Sequence, residues 1–94
     1  MALNFEWDTS KARINAKRHN VTFEEAKTVF DDPFSVTISD PDHSLDEERF
    51  IDIGMSSKER LLVVVYTERG THIRLISCRK ATAWERTMYE EKTE

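Results

Sequence analysis

One cysteine, two glycines and no apolar run longer than Leu61 to Tyr66 set the first limits on this chain of 94 residues. A lone Cys78 forms neither an internal disulfide nor a cysteine metal cluster, and it suits a reducing compartment. The apolar run falls far short of the roughly 20 residues that cross a bilayer as a helix, and no basic-then-apolar leader opens the sequence. The expectation is a soluble cytoplasmic protein with no membrane partner. Gly54 and Gly70 are the only glycines, so there is no phosphate-cradling loop for a nucleotide cofactor and no Gly-x-Ser-x-Gly elbow. His19, His43 and His72 lie in different segments without metal-ligand spacing, and neither a metal nor any other cofactor is expected. Positive charge is not in excess either: a net charge of -4 argues against a protein that coats nucleic acid.

What is present is unevenly spread. Asp31 to Glu48 carries seven acids and no Lys or Arg, whereas Lys11, Arg13, Lys17 and Arg18 form a run without an acid. Lys58 to Lys80 adds six basic residues against Glu59 and Glu68. Two basic zones flank an acidic one, which leaves room for a local phosphate site. The length fits one domain, residues 1–94. A domain this small buries only about 60 to 65% of its unfolded surface, so a partner protein is a natural source of further stability.

Leu3 to Trp7 alternates apolar and polar residues as a short strand does. Asp8 then reads as an N-cap for a helix over Thr9 to His19, which Asn20 ends in the left-handed conformation. That helix is mostly polar, with a narrow stripe of Ala12, Ala16 and Ile14. Thr22-Phe23-Glu24-Glu25 is a capping box, with Val21 stapled onto Ala26, and Asp31-Asp32-Pro33 stops the helix it opens. The two helices form an N-terminal hairpin. Strands follow at Phe34 to Ser39, Arg49 to Met55, Leu61 to Thr67 and His72 to Arg79, and the third, apolar on both faces, is central. An acidic loop over Asp40-Pro41-Asp42-His43-Ser44 joins the first two, and Gly70 marks the last hairpin. Thr82 and Glu85 open a C-terminal helix with Trp84 and Met88 on one face and a fraying tail from Glu90. The fold class is α+β, with the helical hairpin packed on a mostly antiparallel sheet.

Cleaving RNA without a metal requires a base for the 2′-hydroxyl, a cation for the pentacovalent phosphate and an acid for the leaving oxygen. Glu48-Arg49 starts a strand, Arg74 and Arg79 lie on the last strand, and Lys80 ends it. Arg74 and Arg79 are an odd number of residues apart, so they reach one site only if a bulge intervenes. Each residue also has a structural reading: His19 as a helix C-terminal cation, Arg49 as a surface ion pair, Arg79 and Lys80 as a solvated strand end. Cys78 reads as a small buried hydrophobe.

Phe5-Glu6-Trp7-Asp8, Lys11, Asn15, Arg18-His19 and Val21 to Ala26 with Phe30 closely resemble the opening of the BrnT family of toxins. Glu47 to Phe50, Gly54, Leu61 to Val65 and Ile73 to Thr82 through Glu85 and Tyr89 resemble its second half. Asn20 stands where the pattern usually has Gly, and Cys78 where it usually has Ala. The resemblance implies a RelE-like fold and a ribonuclease that inhibits translation. It also implies neutralisation by a BrnA-like ribbon-helix-helix antitoxin, through which alone operator DNA is contacted. Set onto matching positions, the chemistry assigns the scissile phosphate to Arg79 and Arg49 and proton transfer to His19 or Glu48. Lys11, Lys17, Arg18, Arg74 and Lys80 then bind the RNA substrate. The alternative is a non-catalytic module that pairs with the antitoxin, which the net acidity favours.

Overall fold

A computed structural model of the chain describes residues 3–40 and 47–93. Five strands form one sheet in the order β1-β5-β4-β3-β2. They are β1 (Asn4–Glu6), β2 (Val36–Asp40), β3 (Arg49–Met55), β4 (Leu61–Arg69) and β5 (His72–Lys80). Strands β2 to β5 run as an antiparallel meander, and β1 adds to the outer edge of β5 in parallel. The central place of β4 is the one its two-sided apolar run predicts. A meander needs only short turns, and Gly70, with φ of 60°, opens the two-residue β4–β5 loop that joins Arg69 to His72.

Helix α1 (Thr9–His19) is capped as its sequence predicts: Asp8 accepts from the Lys11 amide at 3.0 Å, and Asn20 takes φ 58°. Of the expected stripe, Ala12 packs against the core and Ala16 is half-buried, but Ile14 turns outward. Ile14 is 58% exposed, and Asn15 is the one buried residue of the helix. The Asn15 carboxamide donates to the carbonyls of Cys78 at 2.9 Å and Val21 at 3.1 Å, and accepts from the Cys78 amide at 3.0 Å. Because β1 pairs only with residues 72 to 74, the β5 edge at Cys78 has no strand neighbour, and this side chain satisfies it instead.

The expected second helix is only four residues of α-helix, α2 (Phe23–Ala26), and tightens into a 3-10 segment over Lys27–Asp31. Thr28 donates back to the Glu25 carbonyl at 2.6 Å, the local competition that disfavours a continued α-helix. The capping box there is half-formed. Thr22 caps the Glu25 amide at 3.1 Å, but the Glu25 side chain turns into the interior and pairs with Arg60 and Ser56. These donors, Arg60 first, hold its carboxyl below the usual range against the effect of burial. Strand β2 starts two residues later than expected because Asp32 accepts from the Phe34 amide at 2.9 Å in a side-chain turn. Residues 41–46, with His43 and most of the acidic loop, lie outside the described residues.

Two cores result. Val21, ahead of α2, and Phe23, Ala26 and Val29 from α2 and the 3-10 segment pack with Leu62, Val64, Tyr66, Ile73, Leu75 and Cys78 on one face of the sheet. Gly54 lets the 3-10 segment approach, since a Cβ there would meet Val29 Cγ1 at 2.7 Å. On the opposite face α3 (Ala83–Thr93) covers only one end, where Tyr89 packs with Ile53, Leu61 and Val63. Tyr89, rather than the 71% exposed Trp84, anchors this helix, donating to Asp32 at 2.7 Å. The helix runs through Thr93, beyond the expected fraying point at Glu90.

Two outcomes follow. Replacing Asn15 by Ala takes from the Cys78 amide and carbonyl their partner and leaves the Val21 carbonyl only the Cys78 thiol, which should cost about 2 to 4 kcal/mol and lower Tm by on the order of 10 °C. Asp52 is buried beneath Thr37, and burial raises its pKa above the usual value. The folded state therefore binds that proton more tightly than the unfolded chain, and the stability it supplies in acid is lost as pH rises through the raised value. Asp52→Asn should raise the neutral-pH Tm by on the order of 4 °C, a gain that shrinks in acid; thermal melts across pH check this.

Candidate functional site

Strand register decides which cations share a surface. Paired residues on neighbouring strands lie on the same face, and alternate residues of one strand do so too. Val63 belongs to the core under α3 and pairs with Arg79, so Arg79 lies on the face that α3 only partly covers. Two and four residues along β4, Val65 pairs with Ser77 and Thr67 with Arg74. The register shifts by one between Val65 and Tyr66, which partner Ser77 and Leu75, so Ile76 is the extra residue of a bulge. That bulge restores phase: Arg74, Ser77 and Arg79 share one face despite their odd spacing.

Thr67 also pairs with Arg49 across β3. Arg49, Thr67, Arg74 and Glu6 thus form one rung across the sheet, with Asp40 at its outer end. Arg49 and Arg74, two strands apart, have Cα atoms roughly 10 Å from each other, within reach of two long side chains. Arg79 sits roughly 13 Å along the strands from that rung.

Carboxylates orient two of these guanidinium groups. Glu6 accepts from Arg74 at 2.7 Å. Glu85 receives both terminal nitrogens of Arg79 at 2.7 Å each, a bidentate geometry that fixes the guanidinium plane. Glu85 also completes a full capping box, accepting from the Thr82 amide at 2.8 Å while Thr82 caps the Glu85 amide at 3.3 Å. The Arg79 hydrogen bonds hold its carboxyl at about 2. Both carboxylates were missed by sequence reasoning. Apart from the family resemblance, Glu6 reads in the sequence as the polar phase of a short strand and Glu85 as a helix cap.

Helix α1 stands along the free edge of β5 beside this face. Lys11, Ile14, Asn15, Arg18 and His19 form a slot of about 170 Å³ with Ile76 and Ser77 of the bulge. The nearer end of α1 adjoins Arg74: the Lys11 amide, and more weakly the charge of Arg74, hold the Asp8 carboxyl below its usual range.

The expected site residues therefore divide. Arg49, Arg74 and Arg79 lie on one face, with Arg79 apart from the other two, and His19, Lys11 and Arg18 line its edge. Glu48 does not join them. It is exposed, one residue out of step with Arg49, and its carbonyl accepts from Thr67. Lys80 pairs with Leu62 of the opposite core, on the other side of the sheet, and Lys17 is exposed outside the slot. Cys78 is buried, and its thiol is pushed up to about 11 by that burial, so it is no nucleophile. Among the described residues no three His, Cys, Asp or Glu side chains converge as metal ligands. Among the described residues no helix is long and apolar enough to cross a membrane.

The fold is similar to that of the ribonuclease toxin BrnT of Brucella abortus, with a TM-score of 0.63 and 20% identity over 86% of this chain and 99% of that one. No curated protein sequence matches the chain. Residues 7–85 match the family described as the ribonuclease toxin, BrnT, of type II toxin-antitoxin systems. This α+β chain, whose described residues form three helices and a mostly antiparallel sheet of five strands and which matches over most of its length, belongs to the BrnT family of type II toxins.

Proposed function

We propose that this protein is a RelE-like, metal-independent endoribonuclease that arrests translation by cutting RNA. The observation that carries the reading is the bulge at Ile76, through which Arg74 and Arg79 share the face of Arg49. Three guanidinium groups there can hold a phosphate whose negative charge grows as the 2′-oxygen attacks phosphorus. His19 takes the 2′-hydroxyl proton, the bond to the 5′-oxygen breaks, and a proton returns to that oxygen. The products are a 2′,3′-cyclic phosphate and a 5′-hydroxyl. Glu6, which shares the arginine face, replaces Glu48 as the carboxylate of the site. Lys11 and Arg18 continue the track along the RNA backbone, and Lys17 lies farther round α1.

In this reading a BrnA-like ribbon-helix-helix antitoxin neutralises the protein in the cytoplasm, and operator DNA is contacted only through that antitoxin. Exposed Trp84, Phe34 and Ile38 give such a partner apolar surface to cover. A second reading, a non-catalytic module that acts only with its antitoxin, draws support from the net charge of -4 and from the carboxylates engaging Arg74 and Arg79.

Purified protein incubated with a defined RNA in EDTA should leave 2′,3′-cyclic phosphate ends; RNA that stays intact at high protein concentration supports the binding module instead. Arg79→Ala should reduce cleavage by about 100-fold or more and relieve growth arrest, with a melting temperature lowered by only a few degrees. Undiminished toxicity would remove Arg79 from the site.

A further inference from the structure

Ile14 is a large aliphatic side chain, 58% exposed, on a helix whose other outward residues are polar. It is not isolated. Lys11 and Arg18 stand three before and four after it, on the same stripe, and all three line the slot against Ile76 and Ser77. Asn15 also lines the slot, but its carboxamide is already committed to Cys78 and Val21. The slot thus has two aliphatic walls, a serine on its floor and a rim of Lys11, Arg18 and His19, with no carboxylate among its lining residues.

Ser77 ties this slot to the arginine face. It lines the slot and also sits between Arg74 and Arg79 on β5. We propose that the slot receives one nucleobase of the RNA, that of the nucleotide adjoining the phosphate held by the arginines, and so sets the cleavage preference. The proposal rests on the RNA-cleaving reading above and adds to it a base-specificity site at Ile14, Ile76 and Ser77. A volume of about 170 Å³ accommodates one flat heterocycle. Aliphatic walls cover its two faces, a hydroxyl can hydrogen-bond its edge, and Lys11 and Arg18 of the rim follow the attached phosphates. An acid-free cationic rim favours an anionic polymer over a protein segment of mixed charge.

The test uses the full chain with methyl-labelled isoleucines. Adenosine and uridine 5′-monophosphates should shift the Ile14 and Ile76 methyl resonances, and ribose 5-phosphate should leave them in place. Ile14→Ser should weaken nucleotide binding roughly fivefold to tenfold. It should also flatten the base preference beside the cut in a randomised RNA, with Tm within about 3 °C of the parent. Equal shifts with ribose 5-phosphate, or an unchanged cut preference in Ile14→Ser, overturn the proposal. So does a variant that loses affinity for its antitoxin while binding nucleotides as before, since Ile14 would then belong to a protein interface. Arg79→Ala keeps the two readings apart: cleavage should fall by about 100-fold or more while the nucleotide-induced methyl shifts persist. Cleavage that survives in Arg79→Ala, with those shifts present, sinks the arginine site and leaves the base slot standing.

Discussion

The carboxamide of Asn15 is the contact on which the arrangement of this protein depends. Strand β1 is too short to cover the whole edge of β5, and beyond Arg74 that edge has no strand beside it. Asn15 reads the Cys78 amide and carbonyl as a neighbouring strand would, and holds the Val21 carbonyl with the same group. One side chain therefore seals the sheet edge, fixes the distance of α1 from β5 and sets the turn into α2. A carboxylate could accept from the Cys78 amide but not donate to the two carbonyls, and an aliphatic residue could do neither. Because α1 carries Lys11, Arg18 and His19, that clamp also determines where the basic flank lies relative to the sheet.

Within the sheet the decisive feature is one extra residue. Strand alternation would send Arg74 and Arg79 to opposite faces, and the bulge at Ile76 reverses this for everything that follows it on β5. The same displacement turns Ile76 and Ser77 toward α1, where they close the slot. A local irregularity thus does two things at once: it groups the guanidinium side chains on a single face and gives that face a recessed margin.

The charges on that face are balanced by structure rather than left to water. Glu6 comes from the first strand and Glu85 from the last helix, so the orientation of Arg74 and Arg79 depends on both ends of the chain being in place. Helix α3 is held by Tyr89 on Asp32, whose carboxylate also receives the Phe34 and Met55 amides. Burial works against that carboxylate, yet its three donors keep its pKa below the ordinary value. Through this knot the α3 cap, the start of β2 and the end of β3 are coupled to the position of Arg79.

Local signals were legible in the sequence where a few neighbouring residues suffice to decide a structure. Asp8 and Thr22 as caps, Asn20 as a left-handed terminus, the Thr82–Glu85 box and the bounds of β3 all come from short-range sterics and hydrogen bonding. The central place of β4 follows from a run apolar on both faces, and the likeness to the BrnT family from residues spaced along nearly the whole chain. What stayed hidden needed partners distant in sequence. Glu25 left its cap for Arg60, Asn15 rather than Ile14 faced inward, and Glu6 joined Arg74 as its partner. The bulge itself is invisible to periodicity, because no residue near Ile76 demands it locally. It exists only in the pairing of β5 with β4, and that register decides which face each arginine meets.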